Sequence, residues 1–226
     1  MNTIRTLTLS FTALAAMAAA GGASAQSAGT WQARLGAINI APSVSSGDLG
    51  PPSLPGSKID VDSATQLGGG ITYMVTDHIA VDVPLSLPFR HTIKGAGAVG
   101  GTGELGTTKA LPVSVFAQYR FGEANAKFRP YVGGGLTYAK FFKETASNTL
   151  SSITGGTPST PTSMSIESKL APTLLIGAVY SFNERWFIEG MLAKTFLKTT
   201  TTLSTGQTIS TRLDPTTVAI SVGYRF

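Results

Sequence analysis

Apolar and polar residues alternate with a period of two along stretches of about ten residues, the pattern of strands whose two faces meet different surroundings. The segment "WQARLGAINI" places Trp31, Ala33, Leu35 and Ala37 on one face and Gln32, Arg34 and Gly36 on the other. In "TQLGGGITYM", Leu67, Ile71 and Tyr73 oppose Gln66, Gly68, Gly70 and Thr72. "IAVDVPLSLPFR" carries Ile79, Val81, Val83, Leu85, Leu87 and Phe89 as one unbroken apolar row. "LPVSVFAQYRF" sets Leu111, Val113, Val115, Tyr119 and Phe121 against Ser114, Gln118 and Arg120. "PYVGGGLTYAKFF", "LAPTLLIGAVYSF", "WFIEGMLAKTFL" and "LDPTTVAISVGYRF" follow the same grammar, more raggedly in the first three, so the pattern predicts eight strands.

The connections alternate in length. "VTDH", "GEANAK" and "NER" are short, whereas residues 41–64, 91–110, 143–168 and 198–212 are long and rich in Gly, Ser, Thr and Pro. Short turns at one end and long loops at the other predict an all-β fold, an eight-stranded antiparallel transmembrane β-barrel with long extracellular loops and short periplasmic turns. A soluble sandwich or lipocalin-like barrel also alternates, but its second face should be charged. Here that face is mostly Gly, Ser, Thr and Ala, and Trp31, Tyr73, Tyr119, Phe121, Tyr224 and Phe226 stand at strand ends, where membrane barrels carry aromatic girdles. A strand of about ten residues at roughly 3.3 Å each, tilted near 40°, spans about 25 Å, the height of the apolar band. Backbone groups in lipid must all pair, so the first and last strands are expected to meet.

Composition narrows the choice. Only 13% of residues are charged and the mean hydropathy is +0.18, yet beyond the start of the chain no apolar run approaches the roughly 18–20 residues a membrane helix needs. At the N-terminus Arg5, an apolar run from Leu7 to Ala20 and Ala23-Ser24-Ala25 read as a signal peptide over residues 1–25, leaving residues 26–226 as one exported barrel domain. The chain has no cysteine, which removes disulfides and thiolate metal sites. Its pI near 9.6 comes from scattered Lys and Arg, not the clustered patch that nucleic-acid binding requires.

"ITYMVTDHIAVDVPLSLPFRHTIKG", "FGEANAKFRPYVGGGLTYAKFF" and "RLDPTTVAISVGYRF" resemble, in order, the outer membrane protein W family, including its alkane-uptake relatives. The resemblance implies an eight-stranded barrel of the bacterial outer membrane with a narrow apolar interior that admits small hydrophobic molecules. The segment "SNTLSSITGGTPSTPTSMS" departs from the family, lacks an evident helical period and is expected to be flexible.

In the strand register above, Arg34, Asp82, Arg120, Glu189 and Arg225 face inward near the short-turn end, where they should pair into a lumen floor. Higher up, Pro84, Ser86, Pro88, Phe116, Thr137, Ala139, Met191, Ala193 and Ala219 make the inward positions small or apolar. Pro84, Pro88 and Pro112 each remove a ladder donor on adjacent strands. Pro88 and Pro112, toward the loop end of one hairpin, either hold open a lateral gap or merely end pairing where a loop begins. The final alternation, closed by Tyr224 and Phe226, reads as the signal recognised by the barrel-assembly machinery.

No cofactor or metal site is expected. His78 and His91 lie far apart along the chain, and the two "GGG" runs lack the helix and Lys-Ser/Thr of a phosphate loop. The leading expectation is a non-enzymatic barrel, embedded in outer-membrane lipid, that passively imports small hydrophobic solutes and releases them laterally. The alternative is a surface interaction protein whose loops bind phage, toxin or host. A lipid hydrolase or acyltransferase would need a nucleophile beside a base on a strand, which His78 in a turn does not supply.

Overall fold

A computed structural model describes residues 26–51 and 53–226; the expected signal peptide, residues 1–25, lies outside the described residues. The strands are β1 (Trp31–Ala41), β2 (Ser45–Ser46), β3 (Ser57–Val61), β4 (Ala64–Met74), β5 (Ile79–Ser86), β6 (Phe89–Gly97) and β7 (Glu104–Arg120). They continue with β8 (Phe128–Ala146), β9 (Met164–Ile166), β10 (Lys169–Ser181), β11 (Trp186–Thr195), β12 (Lys198–Leu203), β13 (Thr208–Arg212) and β14 (Thr216–Arg225). Eight antiparallel staves close into a barrel: β1, β4, β5 continued by β6, β7, β8, β10, β11 and β14, with β1 paired to β14 and β7 to β8. Closure pairs the first stave with the last, as hydrocarbon surroundings demand.

The outward rows are apolar: Leu35 is 61% exposed, Leu174 60% and Ile220 58%. Such a surface around a whole barrel belongs in lipid. At the short-turn end the rings of Trp31 and Tyr73, Tyr119 and Phe121, Tyr180 and Phe182, and Trp186 and Tyr224 meet in pairs, forming the girdle. Among the described residues no helix is long and apolar enough to cross a membrane, so crossing falls to the strands.

Two expectations need correction. Residues 91–110 are not a loop: β6 and β7 run on above the membrane as a hairpin, paired from Phe89↔Ala110 to Lys94↔Glu104. Around it the other long connections fold as well. β2, β13, β12 and β9 form a four-stranded sheet, and residues Asn148–Thr154 form a helix within the segment expected to be flexible. That helix is too short to show a period, but its ends carry the signals. Ser147 caps it by accepting from Leu150 N, and Gly155 ends it in the left-handed conformation at φ 83°. Leu49, Ile93, Leu105, Leu150, Ile166, Leu203 and Ile209 then bury one another in an extracellular core.

The second correction concerns Phe89. It is not on the outward row with Leu85 and Leu87, which are 54% and 56% exposed; it is fully buried and faces inward. From Asp82↔Phe116 to Phe89↔Ala110 one stave advances seven residues while its neighbour retreats six. The extra residue behaves as a bulge at Leu87-Pro88 and inverts which parity faces the lumen. Below the slip Asp82 and Pro84 point inward; above it Phe89, His91 and Ile93 do.

Candidate functional site

The lumen has two storeys. In the lower one Arg34, on β1, bonds Asp82 of β5 with both guanidinium ends, Nη1–Oδ1 2.6 Å and Nη2–Oδ2 2.9 Å. Thr72 of β4 donates to the same Asp82 Oδ1 at 2.6 Å. Glu189 of β11 lies 3.8 Å from Arg34 Nε through Oε2 and accepts from the Tyr131 hydroxyl at 2.6 Å through Oε1. One arginine thus links both expected carboxylates.

The other two expected cations are held differently. Arg120 donates to three amide oxygens, Gln26 at 2.8 Å, Gln32 at 3.0 Å and Gln118 at 3.1 Å, and stands over the Tyr131 ring. Arg225 does not join the central pair; it donates to Ser181 Oγ at 2.9 Å and stacks over Phe187. A fourth buried arginine, Arg129, escaped the sequence reading. It donates to the carbonyls of Asp77, Gly122, Phe121 and Gln26, closing the short-turn end. Its signal was the inward parity of "FRPYVGGG", where Arg129 precedes Tyr131 by two. Neutral acceptors suit Arg120 and Arg129, because a guanidinium needs only lone pairs to leave water without an unpaired donor, whereas Arg225 keeps a buried Nε without a partner among the described residues.

Above the floor lies a cavity of about 130 Å3. Pro84, Phe116 and Met191 line it, with Phe89, Ile93, Pro112, Ala139 and Leu197; Pro88 does not, standing instead at the register slip. A smaller cavity of about 30 Å3 lies within the extracellular core and shares Ile59, Ile93 and Thr201 with the larger one. Apolar walls therefore continue from the outer cluster down to the floor. A chain of hydroxyls crosses the wall, Ser114 to Thr137 to Thr173 to Thr195, at 2.9, 2.8 and 2.9 Å.

On one side the wall is incompletely sewn. β5 pairs with β7 only from Ile79↔Tyr119 to Asp82↔Phe116, and pairing resumes at Phe89↔Ala110, so residues 83–88 and 111–115 have no ladder between them. Backbone direction explains why. Arg120 N donates to His78 O and Phe121 N to Pro130 O, so the even-numbered residues of β7 aim their N–H groups at this seam. Leu87 N donates to Leu67 O on β4, so on β5 the even-numbered residues again face the seam. Pro84 and Pro112 are both even, and each deletes a donor from the same seam.

Tyr224 and Phe226 close the girdle, their ring centroids 5.2 Å apart, and Phe226 N donates to Trp31 O at 2.9 Å.

A closed eight-stave barrel with a lipid-facing belt, an aromatic girdle and an apolar lumen over a charged floor defines an outer-membrane β-barrel. The chain belongs to the OmpW family, whose model matches residues 27–226. It is 35% identical over 174 residues to outer membrane protein W of Vibrio cholerae, covering 75% of this chain and 77% of that one. It is 26% identical to outer membrane protein AlkL of Ectopseudomonas oleovorans over 88% of this chain and 83% of the other. Its fold is similar to the crystal structure of OprG from Pseudomonas aeruginosa, with a TM-score of 0.80 at 28% identity, covering 91% of this chain and 99% of that one. Its place is the bacterial outer membrane.

Proposed function

We propose that this barrel passively admits small hydrophobic molecules from the cell exterior into its upper lumen and releases them sideways into the outer membrane. The observation that carries this reading is the unsewn seam between β5 and β7, bordering an apolar cavity through Pro84 and Pro112. The floor supports the sideways direction. A greasy solute moving down would have to displace Arg34, Asp82 and Glu189 from one another, and separating buried charges costs several kcal/mol per ion, roughly. A solute moving through the seam meets lipid, into which burial returns about 25 cal/mol per Å2 of apolar surface.

The test is to close the seam. Pro84→Val with Pro112→Val restores both donors, and a cysteine pair at Ser86 and Pro112 would bridge it covalently, in a chain that has no other cysteine. Uptake of a labelled alkane by cells carrying either variant should fall several-fold, and reducing the bridged form should restore it. Undiminished uptake in both variants, with folded barrel present at wild-type levels, would remove the lateral route.

A further inference from the structure

We propose that His91 and Thr108 form a head-group site in the upper lumen, so that the preferred solute is an apolar chain bearing one hydroxyl, as in a long-chain alcohol. The inference rests on the reading of this cavity as the solute's path.

His91 is the sole titratable side chain lining the cavity among the described residues. Its Nδ1 lies 2.8 Å from the Asp62 carbonyl oxygen. A carbonyl only accepts, so Nδ1 carries the hydrogen and the neutral ring keeps an acceptor lone pair on Nε2. Nε2 makes no hydrogen bond among the described residues. His91 reaches the lumen at all because of the register slip at Pro88, which turns it inward together with Phe89 and Ile93.

Directly across the ladder from His91 stands Thr108, on the same face. It too lines the cavity, it is 3% exposed, and its hydroxyl is buried without a partner. An unpartnered acceptor thus sits beside an unpartnered group that can donate. Leaving both unbonded in an apolar room costs free energy. Ser114, Thr137, Thr173 and Thr195 satisfy one another in a chain, and Thr199 donates to the Glu167 carbonyl. The Thr211 hydroxyl is also buried without a partner among the described residues, but its ladder neighbours are Thr199 and Ser46, so no ring nitrogen faces it as His91 faces Thr108. A solute hydroxyl fits the pair: it donates to Nε2 and accepts from Thr108 Oγ1, while its tail lies along Phe89, Phe116 and Met191. A plain hydrocarbon leaves both groups unbonded. Here binding discriminates by what it satisfies, as in any site built to hydrogen-bond one substrate group.

The full barrel in lipid nanodiscs, with 1-decanol and decane as probes, tests this. Barrel-dependent binding of 1-decanol should exceed that of decane by about tenfold, each corrected for empty discs, the factor expected of one net hydrogen bond. Thr108→Val and His91→Phe should abolish the preference, while Thr108→Ser keeps it. In the wild type the 15N resonance of His91 Nε2 should move upfield with 1-decanol and stay in place with decane. Equal binding of the two probes, or an unmoved Nε2 resonance, overturns the head-group site while leaving hydrophobic uptake standing. If decane shows no barrel-dependent binding, both readings fall.

Discussion

Phe187 fills the space that a side chain at its ladder partner Gly223 would need: a Cβ there would stand 2.1 Å from Phe187 Cζ. Tyr131 bears the same relation to Gly177, at 2.4 Å, and both rings then carry floor arginines or carboxylates, Arg225 over Phe187 and Glu189 against the Tyr131 hydroxyl. A bulky ring laid over a glycine of the next strand lets a narrow barrel hold aromatic supports inside. Gly223→Ala should therefore destabilise the barrel by about 1–3 kcal/mol through overpacking. Gly190→Ala, where an added Cβ meets nothing within 4 Å, should be near neutral. Urea unfolding in lipid vesicles compares the two.

Asp82 has no exposure, and its partner Arg34 is also shut away from water. Asp82→Ala should cost about 3–5 kcal/mol, because it strips a buried guanidinium of its bidentate partner and leaves only Glu189, 3.8 Å from Nε. Replacing the whole linked set, Arg34→Met with Asp82→Leu and Glu189→Gln, which keeps an acceptor for the Tyr131 hydroxyl, should cost less than the single change. The same unfolding assay reads both, and a triple variant as damaged as the single one would contradict this account of the floor.

The extracellular core makes the cap a folded body. Leu150 and Leu105 are buried in it, and Ser53 Oγ ties the first long connection to the helix at Ile153 O. Leu105→Asp or Leu150→Asp should open the cap to added protease while the staves remain protected. Mass mapping of fragments should place the new cuts within residues 41–64, 143–168 and 198–212.

The register slip predicts a local reversal. Labels placed at Leu85 and Leu87 should report hydrocarbon, and a label at Phe89, two residues on, should not. Continued hydrocarbon contact at Phe89 would mean that the strand runs unbroken through Pro88.

Much of this was legible in the sequence because a membrane barrel writes its register directly into side-chain polarity. Leu35, Ile71, Val81 and Ile220 face out and Arg34, Thr72 and Asp82 face in, each by a period of two that lipid enforces along a whole strand. The pattern fails where lipid stops enforcing it. Phe89 looked like the next outward residue because an apolar side chain suits both the membrane and an apolar lumen, so composition could not reveal the inversion; Pro88 was the one mark of it. The loops were opaque for a related reason. Their core is assembled from four separate connections, each contributing one or two apolar residues such as Leu49, Leu150 and Leu203, and no local period records a partnership so distant in sequence. Arg129, held by turn carbonyls, was hidden because its partners are backbone atoms and carry no side-chain signature.

The single surplus residue near Pro88 acts as a phase switch for everything beyond it. Deleting either Leu87 or Pro88 would remove the bulge and leave Phe89, His91 and Ile93 inward in one regular alternation. Kept at full length but straightened through Pro88, the stave would instead bury Arg90 and Lys94 in the vestibule and turn Phe89 and Ile93 outward. On the proposed route an apolar solute would then meet a cationic throat, so the choice of solute would hang on that bulge as much as on any side chain that touches it.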